Sequence, residues 1–201
     1  MNIILDLDGT LITTLTDNNG VQQPSPRPYL ATFLRFLFTA PNLPIASVSL
    51  WTAGTLYWLF LVDQFILLPL LKDLQLEFPT RRIDWSFTRH KKDCTAVKGS
   101  LTRIKNLRKI YRHKKPFLGI TGPVTLTKDN TLILDDNSRT WLWNYGNAVP
   151  IPEYTILSTT DEVLLQVIPY LYYLCQILEQ KGTIRHTDKR AWFLNPYFAT
   201  K

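Results

Sequence analysis

Residues 2–11 read Asn2-Ile3-Ile4-Leu5-Asp6-Leu7-Asp8-Gly9-Thr10-Leu11. A short apolar run that meets a turn signal fits a strand covered on both faces, so Asn2–Leu7 is predicted to be a buried strand ending at Gly9. Asp6 and Asp8 alternate along it and would share a face. A turn at Gly9 then allows the two carboxylates to be arranged around one centre. By itself the stretch also fits a plain strand–turn junction, because Asp and Gly favour turns. The rest of the chain has to decide.

Working outward, Thr13–Pro26 reads as a polar loop rich in Asn, Gln and Pro. Pro26 and Pro28 open a helical pattern with Leu30, Phe33, Leu34 and Leu37 at 3–4 spacing. Ile45–Trp51 reads as a second buried strand. Leu56–Leu71 reads as a long apolar helix, bent or ended by Pro69. Residues 75–97 are mixed. Leu101, Ile104, Leu107 and Tyr111 mark an amphipathic helix whose other face is Arg103, Lys105, Arg108, Lys109 and Arg112. Leu118–Thr127 is a loop or hairpin, and Thr131–Leu134 is a short strand running into Asp135-Asp136. Thr159-Thr160-Asp161-Glu162 fits a capping box before a helix over Glu162–Gln180. Alternating strands and helices predict an α/β fold with a mainly parallel sheet flanked by helices. Ligands of such sheets bind beyond the carboxyl ends of the strands. Those ends here carry Asp6-Leu7-Asp8, Trp51-Thr52-Ala53 and Asp135-Asp136-Asn137.

The 201 residues, 45% hydrophobic and 12% aromatic, suffice for one sizeable core and exclude a disordered or collagenous chain. Two cysteines, Cys94 and Cys175, exclude a disulfide scaffold and a four-cysteine zinc site, and point to a reducing compartment. Residues 36–62 carry no charge, which raises the question of a membrane span. Pro41, Pro44, Ser47, Ser49 and Gly54 interrupt the stretch, so no membrane is expected. The net charge of +7 is local: residues 81–115 hold 13 Lys/Arg against Asp84 and Asp93. Such a stripe fits an acidic partner or a solvated face.

Clustered carboxylates repel and need a cation. An all-oxygen set with no paired Cys or His favours Mg²⁺ over Zn²⁺. A carboxylate beside Mg²⁺ can attack phosphorus, and a second can protonate the leaving oxygen and then activate water. Thr52 offers a hydroxyl for the phosphate, and a lysine near position 98 offers an ammonium.

Asp6-Leu7-Asp8-Gly9-Thr10-Leu11 resembles the first motif of the haloacid dehalogenase superfamily. More narrowly, the chain resembles the FCP/SCP-type, NLI-interacting-factor-like phosphatase domain. Arg27-Pro28-Tyr29-Leu30, Leu50-Trp51-Thr52-Ala53-Gly54, Arg89 to Cys94 with Val97-Lys98 and Leu101, and Leu132-Ile133-Leu134-Asp135-Asp136-Asn137-Ser138 follow in the family's order. The resemblance spans about residues 2–180. It implies a Rossmann-like phosphatase domain over 1–180, followed by a basic-aromatic tail over 181–201. It also implies Asp6 as nucleophile forming an aspartyl-phosphate and Asp8 as general acid/base. Thr52 and Ala53 would hold the phosphate, and Lys98 would neutralise the intermediate. The implied Mg²⁺ ligands are Asp6, Asp8, Asp136 and Asn137, with Asp135 the neighbouring candidate.

The family's usual Lys-Asp-Leu stands here as Lys98-Gly99-Ser100-Leu101, and Arg108–Lys128 reads as added length, so Lys128 rivals Lys98. The resemblance implies an intracellular enzyme, cytoplasmic or nuclear, acting on phosphoserine or phosphothreonine in a protein. A phosphatase of nucleic-acid ends or small esters, and a non-catalytic binding module, are the alternatives. Arg103–Lys115 is expected to select the substrate. A nucleic acid is a candidate there, but only Tyr111 interleaves the charges, which favours an acidic phosphopeptide.

Overall fold

The computed structural model describes residues 1–40, 43–97, 99, 103–155, 160–190 and 192–194. In chain order the elements are β1 (Asn2–Leu5), β2 (Ile12–Thr16), β3 (Gln22–Pro26), α1 (Leu30–Thr39), β4 (Ser47–Trp51), α2 (Leu56–Val62) and α3 (Leu68–Glu77). They continue with β5 (Thr88–Arg89), β6 (Thr95–Ala96), β7 (Arg103–Ile104), α4 (Arg108–Tyr111), β8 (Phe117–Leu118) and β9 (Pro123–Val124). The last are β10 (Thr131–Asp135), α5 (Ser138–Trp143), β11 (Ala148–Pro150) and α6 (Val163–Lys181).

Five strands form one parallel sheet in the order β11-β10-β1-β4-β5. The register sets Leu5 opposite both Leu134 and Leu50. The carboxyl ends of β1, β4 and β10 therefore finish level, and this levels Asp6, Thr52 and Asp135–Asp136. Ile3, Leu5 and Leu50 pack on one face under α1, α3 and α6, whereas Ile4, Trp51 and Ile133 pack on the other with Leu107, Ile110 and Cys94. The continuous apolar runs of these strands thus have a cover on each side, as a parallel sheet requires. Cys94 and Cys175 are buried free thiols.

Three local expectations change. Thr13–Pro26 is largely an antiparallel hairpin, β2 with β3, in which Pro24 and Pro26 are tolerated because the two-strand ribbon leaves their missing N–H groups on an edge. The apolar stretch after Thr55 is helical throughout, as expected, but runs on past Pro69 to Glu77 rather than ending near Leu71. A π-helical turn over Asp63–Leu67 joins α2 to α3 with helical backbone on both sides, and Pro69, which has no N–H to donate, comes just after that turn. Of the stretch expected to be helical, Arg103 onward forms β7 and the short α4 rather than one helix, and Leu101 lies outside the described residues. Ile104, Leu107 and Ile110 are buried all the same, so the apolar spacing was satisfied by another backbone path. The hairpin expected within Leu118–Thr127 forms as β8 with β9. Thr159 lies outside the described residues. Asp161 does accept from the Val163 N–H at 3.1 Å at the start of α6.

The charge-free stretch at 36–62 splits among α1, β4 and α2, and no described helix is long and apolar enough to cross a membrane. Beyond α6 the chain returns to the body: Ile184 N donates to Asp129 O at 3.0 Å, and Trp192 Nε1 donates to Pro150 O at 2.6 Å.

Candidate active site

The site forms where β1, β4 and β10 end. Asp6 is buried, its backbone N–H bonded to Leu134 O at 3.0 Å, so the neighbouring strand fixes its position. Asp135 and Asp136 follow at the end of β10. One carboxylate oxygen each from Asp6, Asp135 and Asp136 fall within 4.8 Å of one another. The close approach depends on Gly9, which has φ +75°. A Cβ there would stand 2.6 Å from Asp136 Oδ2.

The ammonium facing this group is Lys105. Its Nζ contacts Asp6 Oδ1 and lies 2.7 Å from Asp135 Oδ2, with the side chain almost wholly enclosed. Burial by itself would lower the Lys105 pKa. The Asp135 and Asp6 charges outweigh it and hold the ammonium above its usual range, so Lys105 stays protonated. Burial also raises the carboxyls of Asp6 and Asp136. For Asp6, Lys105 opposes that rise while Asp135 and Asp136 add to it. Three crowded acids against one lysine leave an excess of negative charge, and an all-oxygen set of this kind suits a hard divalent cation.

Asp8 points to the other side of the turn. Thr52 Oγ1 donates to Asp8 Oδ2 at 3.0 Å, and the Trp58 indole Nε1 donates to Asp8 Oδ1 at 2.6 Å. Thr52 is fully buried at the end of β4, and its oxygen also accepts the Gly54 N–H at 2.8 Å. Ala53 is exposed between them. An open cleft of about 480 Å³ begins at Asp8 and is lined by Thr14, Gln22, Thr55, Tyr57 and Trp58. Across the sheet, Arg27 makes a buried two-point pair with Asp161 and donates to Thr10 O at 3.0 Å, tying the turn after Asp8 to the start of α6.

The structure therefore assembles Asp6, Asp135 and Asp136 in one group and Asp8 with Thr52 in another. Asn137 is next to the first group, but its side chain caps α5, accepting from Arg139 N at 3.0 Å. Lys98 lies outside the described residues. Lys128 lines a hollow with Arg108, Tyr111 and Arg112, outside the acidic group. Sequence reasoning set Lys105 on a solvated helix face and missed it. The signal was present: Lys105-Asn106-Leu107 preserves the spacing of Lys-Asp-Leu, with an amide for the acid. Trp58 was also missed, since nothing in a helical repeat tells which indole reaches a carboxylate.

A family model described as NLI interacting factor-like phosphatase matches residues 1–181. The chain belongs to this family. Membership makes it a haloacid-dehalogenase-type phosphatase domain, a phosphoric monoester hydrolase. The fold agrees with a solved structure of Fcp1, described as an essential RNA polymerase II CTD phosphatase, at TM-score 0.56 and 14% identity. That match covers 96% of this chain and 68% of the other. Fission yeast Fcp1-R271A bound to beryllium fluoride matches at TM-score 0.49 and 15% identity, over 91% of this chain and 52% of that one. A search of curated proteins found no match.

Proposed function

We propose that this phosphatase domain is a Mg²⁺-dependent phosphomonoesterase working through an aspartyl-phosphate on Asp6, with phosphoserine or phosphothreonine in a protein as substrate. The observation that carries the reading is the contact of Lys105 Nζ with Asp6 Oδ1 inside an acidic group, while Asp8, two residues on, lines an open cleft by which a substrate can enter. A Mg²⁺ ion held by Asp6, Asp135 and Asp136 would neutralise the phosphate that otherwise repels a carboxylate nucleophile.

Asp6 attacks phosphorus as the ester P–O bond breaks, and Asp8 gives its proton to the leaving alkoxide. Asp8 then takes a proton from water, whose oxygen attacks phosphorus and breaks the bond to Asp6, releasing inorganic phosphate. Lys105 keeps Asp6 oriented and offsets the charge that the phosphoryl group brings. Thr52, with Ala53 beside it, stands where a phosphate oxygen could take over the hydroxyl now given to Asp8.

A protein substrate is supported by the shape of the cleft, which is open and has Tyr57, Trp58 and Leu61 in its wall. A peptide chain with apolar neighbours to its phosphoresidue fits such a surface better than a free sugar phosphate. The solved relative's description as a polymerase-tail phosphatase leads to the same class. An intracellular setting, cytoplasmic or nuclear, goes with that reading.

The test is hydrolysis of a phosphopeptide panel with Mg²⁺, using Asp6→Asn as the paired control. The amide is nearly isosteric but is not a nucleophile, so turnover should vanish while the melting temperature stays close to that of the parent. Near-normal turnover in folded Asp6→Asn would overturn the mechanism. Activity only on nucleotides or sugar phosphates would overturn the protein substrate.

A further inference from the structure

The basic segment at 103–115 does not remain a one-helix stripe. Arg108 of α4 and Arg112 just after it meet Lys128 around one hollow of about 290 Å³. An adjoining hollow of about 230 Å³ adds Arg185 from the segment after α6. Three regions far apart in sequence thus deliver exposed cations to one surface. Among the described residues no carboxylate forms an ion pair with any of the four. The neighbouring Asp129 accepts a hydrogen bond from Thr183 instead.

The same hollow is walled by Trp143 and Tyr145 from the end of α5, 53% and 69% exposed. Tyr111 lines both hollows, and its buried hydroxyl has no hydrogen-bond partner among the described residues. The surface continues past Tyr145 and Arg185 into a cavity of about 390 Å³.

We propose that this surface binds single-stranded nucleic acid. Clustered cations without acidic partners neutralise a phosphate backbone. Exposed indole and phenol faces next to them stack unpaired bases, which every nucleotide offers and a peptide does not. A duplex keeps its bases stacked on each other and would leave Trp143 and Tyr145 unused. The charged segment by itself had only Tyr111 among its cations. The fold supplies the missing aromatic faces from α5. The surface backs directly on the site, since Asn144 in its floor accepts from Leu107 N at 3.0 Å and donates to Lys105 O at 2.6 Å.

Fluorescence anisotropy of a labelled short oligothymidylate with the whole chain reads binding without any need for turnover, so its outcome stands apart from the phosphatase reading. Affinity should fall with salt at a log–log slope of about −3, near −0.7 for each of four contacts on a single strand. Trp143→Ala with Tyr145→Ala should weaken binding by about tenfold or more, and Trp143→Phe with Tyr145→Phe should retain most of it. Arg108→Gln, Lys128→Gln and Arg185→Gln together should flatten the slope by about 2. Melting temperatures of the variants identify any that fail to fold, and the phenylalanine pair preserves the packing volume.

Absent binding at low salt would overturn the proposal. So would binding that needs the cations but ignores the loss of both aromatic faces. Equal affinity for a phosphopeptide of matched charge, or preference for the duplex form of the oligonucleotide, would overturn it as well.

Discussion

The indole Nε1 of Trp58 donates to Asp8 Oδ1 at 2.6 Å, while Thr52 Oγ1 holds the other oxygen at 3.0 Å. Asp8 is therefore clamped from two elements, the end of β4 and the first turn of α2. Gly54 leaves room for the arrangement, because a Cβ there would lie 2.9 Å from Trp58 Cδ1 and 3.1 Å from Thr52 Oγ1. A phosphate that claims the Thr52 hydroxyl leaves Trp58 as the group still orienting the acid.

Trp58→Phe keeps the apolar body and removes the donor. A hydrogen bond to a charged group is worth about 1.5–3 kcal/mol, so kcat on p-nitrophenyl phosphate should fall by about ten- to a hundredfold with KM little changed. Asp8→Asn should cost more, a factor of about 10²–10⁴. Steady-state kinetics of both variants check this. A Trp58→Phe enzyme with parental kcat would show that Thr52 alone orients Asp8.

Lys105 is placed to serve as the site's ammonium. Lys105→Met should abolish turnover, whereas Lys98→Ala and Lys128→Ala should leave small-ester hydrolysis near the parental rate. The same change strands Asp6 and Asp135 without their counter-charge, and breaking a buried pair costs about 3–5 kcal/mol. Mg²⁺ should recover part of that stability but not the activity. An inactive Lys98→Ala beside an active Lys105 variant would reverse the assignment.

Burial, with Asp135 adding to it, holds the Asp136 carboxyl above its usual range; burial does the same for Asp6, against the opposing pull of Lys105. A raised acid keeps its proton longer in the folded chain than in the unfolded one. Its contribution to stability is fully present below the unfolded value of about 4 and is lost as pH rises through the folded value. In chelator, the melting temperature of the parent relative to Asp136→Asn should therefore fall as pH rises above about 4. Mg²⁺ should raise the parent's melting temperature, and more at neutral than at acidic pH, because its ligands must be ionised. Thermal melts across that range, with and without Mg²⁺, measure both effects. A Mg²⁺ shift independent of pH would show that these carboxylates do not hold the ion.

Arg27 and Asp161 meet through two hydrogen bonds, 2.9 and 2.7 Å, with side-chain exposures of 0% and 5%. Arg27→Met should destabilise the fold by about 3–5 kcal/mol, since it leaves Asp161 buried and unpaired. Arg27→Lys should recover little, because an ammonium cannot reproduce the planar two-point geometry or reach Thr10 O at the same time. Urea denaturation of the two variants tests this. A lysine variant as stable as the parent would mean that charge alone, not the fork, holds the turn.

The central strands were legible because their evidence is local. Asn2–Leu5, Ser47–Trp51 and Thr131–Asp135 are apolar runs ending in Asp, Thr or Gly, and a parallel sheet covered on both faces is what such runs form. Asp6, Asp8, Thr52 and Asp136 were legible for the same reason, each lying at or just beyond the carboxyl end of a readable strand. The segment around Lys105 was not. Its 3–4 apolar spacing fits an amphipathic helix, yet the spacing states only that Ile104, Leu107 and Ile110 are buried. Whether they are reached by a helix or by β7 and one helical turn is not in the spacing, and distant contacts such as that of the Leu107 N–H with the side-chain oxygen of Asn144, 37 positions away, accompany the path taken.

Local pattern and residue chemistry by themselves determined the parallel α/β sheet and the acidic edge, and the ordered motifs carried the resemblance that the family match bears out. Tertiary structure alone decided that Lys105 enters the acidic group while Lys128 lies out with Arg108, and that Trp58, not another of the tryptophans, binds Asp8. It also brought Trp143 and Tyr145 to the cations of α4. The physical reason is that a side chain's burial and electrostatic partners are set by contacts between segments distant in sequence. A lysine's charge or an indole's N–H is the same in every local context until the fold chooses what faces it.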